Sequence, residues 1–446
     1  MRRRQFLTAS LSGAVATVAG CSVPTDDRSR GSEPGTIECA DDVSSTTDER
    51  TTGDETWPTP QYDARRRGHV PGRVGPQGCP TVQWTWRHDE DITGPGMHTS
   101  ALIVNDTVYI GDESPPRRQG DDDDTTMIAI DAATGTERWR VAGAGKPVRT
   151  PTVTNDMMYV PMDNGIQAID LVAQAPDWHT TFVEGQEYDG DSEWAEVPAV
   201  VGGTVYAGTH LGTLYAIDAA TGTVEWEFTA EGLPEEQLMD EEPVPEVRRI
   251  GQFDGPVAVA DGIVYAANWD SRLYAVDAAT GEKVWSTFRY SPIDWTSRPS
   301  PPAVYDGTVY TSTRQSGAVI ALDAQTGEQE WVFDELGYSE GVSPAVTDTS
   351  VYASAGTSSE QMFLVALDRA TGRQRWQTWI GLPSRGPIVD EQNVYIEQLG
   401  TLLACGRRSG TEQWWFRMHA DSWASPSLAN GSIYTTDDRG HVYGIW

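Results

Sequence analysis

One thirteen-residue pattern recurs along the chain and constrains the fold more than any other feature. Its clearest copy runs from Leu273 to Trp285 and has the sequence LYAVDAATGEKVW. Recognisable copies begin at Met127, Ile166, Leu214, Leu273, Val319, Leu364 and Leu402. The copy at Ile166 lacks the Thr-Gly pair, and the copy at Leu402 lacks the Asp. Copies follow one another at intervals of about 40 to 60 residues, which is typical of propeller blades rather than of helical solenoids.

The chemistry of the pattern predicts two strands joined by a tight turn. Leu273 to Val276 is a short apolar run typical of a buried strand. Asp277 and the Thr280-Gly281 pair are turn residues, and the return strand carries a Trp at a constant distance from the Asp. We expect each such indole to seat its sheet against a neighbouring sheet. These blade tryptophans are Trp84, Trp139, Trp178, Trp226, Trp285, Trp331, Trp376 and Trp414.

A second strand-turn-strand pattern precedes each copy, as in Val257 to Tyr265, so each unit contains four antiparallel strands. Seven units run from Ala101 to Trp414, and Ser425 to Trp446 supplies three further strands. The missing fourth strand lies upstream, at Thr81 to Trp86. The sequence therefore predicts an all-β, eight-bladed β-propeller of four-stranded antiparallel blades. We expect N-terminal and C-terminal strands to pair in the last blade, because closure protects two sheet edges.

The N-terminal segment predicts export. Residues 1–21 combine a twin-arginine pattern from Arg2 to Leu7, a short apolar stretch and a lipobox-like Val18 to Cys21. We expect transport by the twin-arginine pathway and lipidation of Cys21, which would anchor the protein to the outer face of the cytoplasmic membrane. An uncleaved N-terminal anchor is the alternative. Residues 22–56 have the composition of a disordered acidic tether, and the propeller is expected at 57–446.

A family resemblance becomes specific at Trp57. Residues 57–68 fit W-P-x-x-x-x-D-x-x-R-x-G, and units of the form A-[IVL]-D-x-x-T-G-x-x-x-W follow. Together they resemble the pyrroloquinoline-quinone-like repeat family, which contains quinoprotein alcohol dehydrogenases and the outer-membrane assembly factor BamB. The resemblance implies an eight-bladed ring, and the segment that begins at Trp57 is expected to lie against it. It is strong for the fold and weak for the chemistry.

The amino-acid composition indicates the kind of organism and the classes of binding partner. The net charge is −34, and Lys146 and Lys283 are the two lysines of the chain. Such an acidic, lysine-poor chain indicates a high-salt organism such as a halophilic archaeon, because salt screens the self-repulsion. An acidic surface in ordinary salt is the alternative. No basic stripe is available for phosphate contacts, so nucleic acid is excluded as a partner. We expect a monomeric ring that binds envelope or membrane proteins.

The chain has no C-x-x-C pair, so a zinc site would have no cysteine framework. Cys39 and Cys79 flank the tether, and whether they pair after export stays open on sequence alone.

The family's quinone enzymes cover their cofactor with adjacent cysteines and hold a calcium ion beside it. This chain has no Cys-Cys pair, and no Glu, Asn and Asp set matches those ligands, so we expect neither a cofactor nor a metal. The run Asp121 to Asp124 would gather calcium or form a solvated loop.

The turns before the innermost strands of a propeller surround one mouth of its central channel. Aromatic and Arg residues there are common anchors of recognition surfaces. The alternative is that the rings pack on neighbouring loops and the charges pair. The candidate binding residues at this mouth are Arg149, Trp194, Glu196, Asp254, Trp295, Arg298, Arg385 and Trp423.

Two functional hypotheses follow. The first is a non-catalytic, surface-anchored propeller that binds or scaffolds other proteins. The second is a quinoprotein oxidoreductase acting on alcohols or sugars, with pyrroloquinoline quinone and calcium as cofactors.

Asn105 and Asn430 occupy glycosylation sequons at expected hairpin tips, where Asn is also a favoured turn residue.

Overall fold

A computed structural model describes residues 33–41, 43–44, 55–87, 99–111, 125–142, 149–182, 194–232, 251–288, 298–314, 316–383 and 385–446. Within these ranges every element of the ring is a β-strand. In chain order the first half comprises β1 (Ile37–Cys39), β2 (Val82–Arg87), β3 (Leu102–Val104), β4 (Thr107–Gly111), β5 (Thr125–Asp131), β6 (Glu137–Ala142), β7 (Thr152–Thr154), β8 (Met157–Met162), β9 (Gly165–Asp170), β10 (Ala175–Thr181), β11 (Ala199–Val201), β12 (Thr204–Gly208), β13 (Thr213–Asp218), β14 (Val224–Thr229), β15 (Ala258–Ala260), β16 (Ile263–Ala267), β17 (Arg272–Asp277) and β18 (Lys283–Phe288). The second half comprises β19 (Ala303–Tyr305), β20 (Thr308–Ser312), β21 (Val319–Asp323), β22 (Gln329–Phe333), β23 (Ala345–Val346), β24 (Ser350–Ser358), β25 (Gln361–Asp368), β26 (Gln374–Ile380), β27 (Ile388–Val389), β28 (Asn393–Gln398), β29 (Thr401–Gly406), β30 (Glu412–Arg417), β31 (Ser427–Ala429), β32 (Ser432–Thr436) and β33 (His441–Ile445).

The strands form eight antiparallel sheets arranged as the blades of a propeller, which confirms the predicted fold. Blades 1 to 7 begin at β3, β7, β11, β15, β19, β23 and β27, and each uses four consecutive strands. Blade 8 has the order β2-β33-β32-β31, so the N-terminal β2 closes the ring against the C-terminal β33. The first strands of neighbouring blades approach one another, as β11 does with β15, and they therefore line the centre.

Six of the eight blade tryptophans link their sheet to the next one through the same contact. In blade 3, Trp226 donates its indole N–H to the carbonyl of Ala278 in blade 4, at 3.1 Å. Its ring lies on Gly281, where an added Cβ would be 2.9 Å from the indole. Gly281 has a φ of +74°, and the Asp277 carboxylate accepts the backbone N–H of Thr280 at 2.9 Å, so the Thr-Gly turn supplies a flat surface for the ring. The same indole-to-carbonyl bond is made by Trp84, Trp178, Trp285, Trp331 and Trp376.

The N-terminal segment from Trp57 to Gly75, here called the plug, lies inside the ring. Its backbone carbonyls accept N–H groups from inner strands in blade order. The bonds run from Ile103 to Trp57 (3.1 Å), Val153 to Pro58 (2.8 Å), Val259 to Ala64 (2.7 Å), Val304 to Arg65, Val346 to Arg67 and Val389 to Gly68 (2.8 Å each). The segment expected to lie against the ring therefore passes through its centre and ties the blades together.

Arg66 is the polar centre of the plug, and its side chain is fully buried. Its guanidinium donates to the carbonyls of Pro60 (2.9 Å), Pro198 (2.8 Å) and Val257 (3.0 Å) and to the Thr59 hydroxyl (2.5 Å). Burial lowers the pKa of Arg66 to about 9, because the channel disfavours the charged form. The hydrogen bonds to oxygen offset that cost.

One stretch of the predicted disordered tether is ordered. Ile37–Cys39 forms β1, which adds a fifth strand to the outer edge of blade 7 by pairing with β30. A disulfide joins Cys39 to Cys79, with a Cα–Cα distance of 5.7 Å. Ile37 and Cys39 pack on the core while Glu38 faces solvent, so an alternating pattern and a covalent link outweigh the polar composition around them. The prediction of disorder across 22–56 is wrong for these three residues.

Other sequence predictions concern residues 1–32, which lie outside the described ranges, as do Cys21, Asp121 to Asp124 and Trp295. Asn105 and Asn430 occupy hairpin tips with φ values of +50° and +52°. No helix in the described part of the chain is long and apolar enough to cross a bilayer.

Candidate functional site

A central cavity of about 300 Å³, here called the vestibule, opens at the mouth formed by the turns before the inner strands. Every blade contributes to its wall. In blade order from 1 to 8, contributing residues are Ser100, Thr150, Val197, Pro256, Pro301, Ser343, Gly386 and Ser425. Pro60 and Gln61 of the plug also line it, and the rest of the plug lies deeper, at the level of the inner strands. The vestibule is therefore closed below and open at one face.

Its charged residues are balanced in sign. Three arginines and three acids line the wall: Arg149, Arg314, Arg385, Glu196, Asp254 and Glu340. Arg149 pairs with Glu196 at 3.2 Å, and Arg314 lies 3.7 Å from Glu340. A protein with a net charge of −34 thus has a locally neutral vestibule. Such a surface suits a ligand that carries both signs of charge better than a polyanion.

Glu196 is the most deeply buried acid of the vestibule, with 4% of its side chain exposed. Burial raises the pKa of Glu196, while the Arg149 guanidinium acts in the opposite direction. Its backbone N–H bonds the Gly208 carbonyl at 2.8 Å, which fixes the turn before β11. The Glu196 carboxylate and the Arg149 guanidinium are therefore held in position as a hydrogen-bond acceptor and donor for a ligand.

The structure brings together five of the eight predicted mouth residues: Arg149, Glu196, Asp254, Arg385 and Trp423 line the vestibule. Arg385 donates to the backbone carbonyl of Trp423 at 2.8 Å, and Trp423 stays 42% exposed at the rim. Trp194 packs instead on His210, with ring centroids 4.4 Å apart. Arg298 stacks over Trp269 at 3.8 Å. For these two, the packing alternative describes the structure better.

Arg314 and Glu340 also line the vestibule but were not among the predicted mouth residues. Arg314 follows β20, in a loop between the second and third strands of blade 5, and these loops open at the same mouth as the turns before inner strands. Glu340 stands three residues before Ser343 in the turn that leads to β23. The turns before the inner strands and the loops between the second and third strands form one rim. A prediction that included both kinds of loop would have found Arg314 and Glu340.

A buried polar network lies behind the vestibule wall, between blades 7 and 8. Glu397, on β28, is fully buried and accepts hydrogen bonds from Ser422 at 2.5 Å and from Thr435. Burial raises the pKa of Glu397 to about 8; the two hydroxyl groups and the Arg385 charge counteract this, and Asp437 adds to it. The carboxyl group is therefore largely protonated at neutral pH.

Replacing Glu397 with Gln is expected to flatten the pH dependence of stability. The folded carboxyl titrates near 8 and the unfolded one near 4.5, so the folded state retains the proton between these values. Wild-type stability therefore falls as pH rises through this window, whereas the neutral amide keeps its stability. Urea unfolding at several pH values measures the difference. Glu225→Gln, at an exposed outer-strand position, is the control, and a parallel wild-type and Glu397→Gln profile would contradict the assignment.

A planar quinone would need a flat face above and below its rings. Among the lining residues that the structure describes, Trp423 is the one aromatic side chain, and it lies at the rim. The floor consists of Pro60 and Gln61 rather than of a flat ring. The chain also lacks the adjacent cysteine pair. These residues do not fit a quinone held between two flat faces, so no redox step is assigned to them.

A larger cavity of about 660 Å³ lies between blades 6 and 7. Arg407, in the wall of this cavity, forms salt bridges with Glu391 at 3.1 Å and with Asp348 at 3.2 Å. Arg375, also in its wall, pairs with Asp368 at 2.7 Å. We favour the vestibule as the functional site because all eight blades converge on it.

Comparisons with known proteins agree with this architecture. A family model described as outer membrane protein assembly factor BamB matches residues 49–292 and 240–445. BamB of Moranella endobia (strain PCIT) is 25% identical over 226 residues, which is 50% of this chain and 53% of that protein. Quinohemoprotein alcohol dehydrogenase of Comamonas testosteroni is 32% identical over 148 residues, 30% of this chain and 19% of that protein. The chain thus spans from about a fifth to a half of these relatives.

The crystal structure of BamB from Moraxella catarrhalis superposes with a TM-score of 0.58 at 17% identity, covering 82% of this chain and 99% of that one. At this identity the likeness shows the fold. The family model, in contrast, matches well over half of the sequence. The chain therefore belongs to the family described as outer membrane protein assembly factor BamB.

Proposed function

We propose that this protein is a non-catalytic binding module whose vestibule receives a segment of a partner protein of the cell envelope. The observation that carries the proposal is the blind, charge-balanced vestibule to which all eight blades contribute. Its volume lies at the small end of the range for ligand pockets. It suits one or two side chains of an extended peptide, which carries donors, acceptors and both charges.

The rim supplies anchors for such a segment. Trp423 presents an exposed ring, and Arg385 fixes the backbone that carries it. Trp and Arg are enriched among the residues that dominate binding energy at protein interfaces. Pro256, Pro301 and Pro383 restrict the backbone of the wall, so little conformational entropy is lost on binding.

The proposed location is the outer face of the cytoplasmic membrane, reached by twin-arginine export and held there by lipid on Cys21. The disulfide between Cys39 and Cys79 supports an exported protein, because such bonds persist in oxidising compartments. The acidic composition supports a high-salt, halophilic source. The family's description names a role in outer membrane protein assembly. For this chain we propose a role in assembling envelope proteins that does not require an outer membrane.

Site-specific photocrosslinking tests this function. A photoreactive residue replaces Trp423 at the rim or, as a control, Val201, which is 40% exposed at the opposite end of an inner strand. We expect a discrete protein adduct from position 423 in native membranes and none from position 201. Adding Arg385→Glu to the Trp423 probe should remove the adduct. Equal adducts from both positions, or none from the rim, would contradict the proposal.

A quinoprotein oxidoreductase is the second candidate, favoured by the similarity to the dehydrogenase of Comamonas testosteroni. Incubation with pyrroloquinoline quinone and calcium in high salt, followed by absorption spectroscopy, separates the two candidates. Saturable uptake of one equivalent of quinone would favour the oxidoreductase. We expect no uptake, because the described vestibule lacks a flat floor.

A further inference from the structure

Two histidines and an aspartate meet on the mouth face, outside the vestibule. One nitrogen each of His419 and His441 and a carboxylate oxygen of Asp437 lie within 4.8 Å of one another. The two imidazole rings have centroids 4.7 Å apart. His419 comes from the connection after β30, whereas Asp437 and His441 flank the tight loop between β32 and β33. The cluster therefore joins blade 7 to blade 8.

We propose that His419, Asp437 and His441 form a binding site for a divalent transition-metal ion, with zinc as the best-suited ion. Two imidazoles and one carboxylate are a common zinc donor set, and three protein ligands leave a position for water or another ligand. The nitrogen donors favour such ions over calcium and magnesium, which prefer all-oxygen sites. This inference is independent of the proposed binding function.

The loop geometry places the two buried ligands. The Asp437 N–H bonds the His441 carbonyl at 3.0 Å, and the Gly440 N–H bonds the Asp437 carbonyl at 3.1 Å, so the chain reverses between the two ligands. The Asp437 side chain accepts the backbone N–H groups of Arg439 and His441, each at 3.1 Å. Its carboxylate also contacts Nδ1 of His441 at 2.9 Å. These bonds hold the aspartate and the imidazole side by side.

Tyr443 links the third ligand to this pair. Its hydroxyl donates to Oδ2 of Asp437 at 2.6 Å, and it lies 2.8 Å from Nδ1 of His419. The same oxygen accepts the His419 backbone N–H at 3.1 Å. Hydrogen-bonding neighbours of this kind orient metal ligands and raise their affinity. These hydrogen bonds therefore hold the three donors close together.

Access and charge also suit a cation. His419 is exposed, whereas Asp437 and His441 are buried, so the cluster opens to solvent on one side. Asp438 and Asp421 lie beside it, joined by a backbone hydrogen bond of 2.8 Å. The connection that carries His419 continues to Trp423 at the vestibule rim. A bound ion would therefore restrain the loop on which the rim tryptophan lies.

Cobalt titration tests the site, because Co²⁺ replaces zinc and absorbs visible light. The whole protein is titrated with Co²⁺ in high salt and excess Ca²⁺, which occupies the acidic surface. We expect one equivalent to produce visible absorption bands that one equivalent of Zn²⁺ removes. His419→Gln and His441→Gln should each weaken Co²⁺ binding at least tenfold. His179→Gln, which removes an imidazole from blade 2, should leave the titration unchanged.

Three outcomes overturn the proposal. They are the absence of visible bands, a titration curve that is the same in wild type and His419→Gln, and loss of the bands when the Ca²⁺ concentration is raised further. The last two would mean that the acidic surface alone collects the metal. His419 is exposed, so its replacement leaves the core intact and the test stands if His441→Gln fails to fold.

Discussion

Arg66→Ala is expected to lower the free energy of unfolding by roughly 3 to 5 kcal/mol, because it removes the fully buried centre of the plug. The substitution leaves the carbonyls of Pro60 and Val257 without the guanidinium donors that now contact them at 2.9 and 3.0 Å. It also opens a cavity where blades 3 and 4 meet the plug. The shift of the urea midpoint in high salt, at constant slope, measures the loss.

Arg65→Ala is the matched control for this prediction. Arg65 precedes Arg66 in the plug, but its side chain is 42% exposed and pairs with Asp261 at 3.1 Å on the surface. Surface pairs contribute about 0 to 1 kcal/mol, so a small effect is expected. The backbone carbonyl of Arg65, which accepts the Val304 N–H, is retained in both variants. Equal losses from the two substitutions would mean that the plug does not act through the buried guanidinium.

The repeat made the fold predictable because one unit encodes both its own hairpin and its contact with the next blade. In Leu273 to Trp285, Asp277 and Gly281 form the turn on which Trp226 of the preceding blade lies. Trp285 in turn donates to Ala324 of the following blade, at 3.0 Å. The same residues therefore determine both the local hairpin and the contact with the neighbouring blade. This is why the degenerate copies of the repeat could still be recognised as blades.

The plug was less predictable because its contacts are made by the backbone. Val153, Val259, Val304, Val346 and Val389 donate N–H groups to its carbonyls, and such bonds leave no pattern of side chains. Strand β1 was missed for a related reason. Three residues give too short an alternation to stand out in a polar segment, and the disulfide that holds them depends on the folded positions of Cys39 and Cys79.

The candidate site was predicted in part. Topology placed the turns before the inner strands at one mouth, and that argument located Arg149, Glu196, Asp254, Arg385 and Trp423. It did not reveal which side chains turn toward the vestibule, because packing between neighbouring loops decides this. The His419, Asp437 and His441 cluster was missed because His419 lies in the connection after β30, whereas Asp437 and His441 flank the loop between β32 and β33, so no single stretch of sequence carries all three donors.

Truncation after Gly440, which removes β33, is expected to abolish the folded ring. β33 lies between β2 and β32, so its loss also detaches β2 from the sheet. Trp84 of β2 would then lose its place against blade 1, where its indole donates to the Ala132 carbonyl at 3.0 Å. Blade 8 would keep two of its four strands, and β32 would become an unpaired sheet edge. Loss of the cooperative urea transition is the expected measurement.

Removal of β1 is the control that separates closure from the simple loss of a terminal strand. Deleting residues 33–41 together with Cys79→Ser removes the fifth strand of blade 7 and leaves eight four-stranded blades. It also breaks a disulfide between cysteines 40 residues apart, a loss of about 4 kcal/mol in the chain-entropy account. We expect a folded ring that unfolds cooperatively at lower urea. If instead this variant collapsed like the C-terminal truncation, the stability of the ring would depend on its disulfide-linked outer strand rather than on the pairing of β2 with β33.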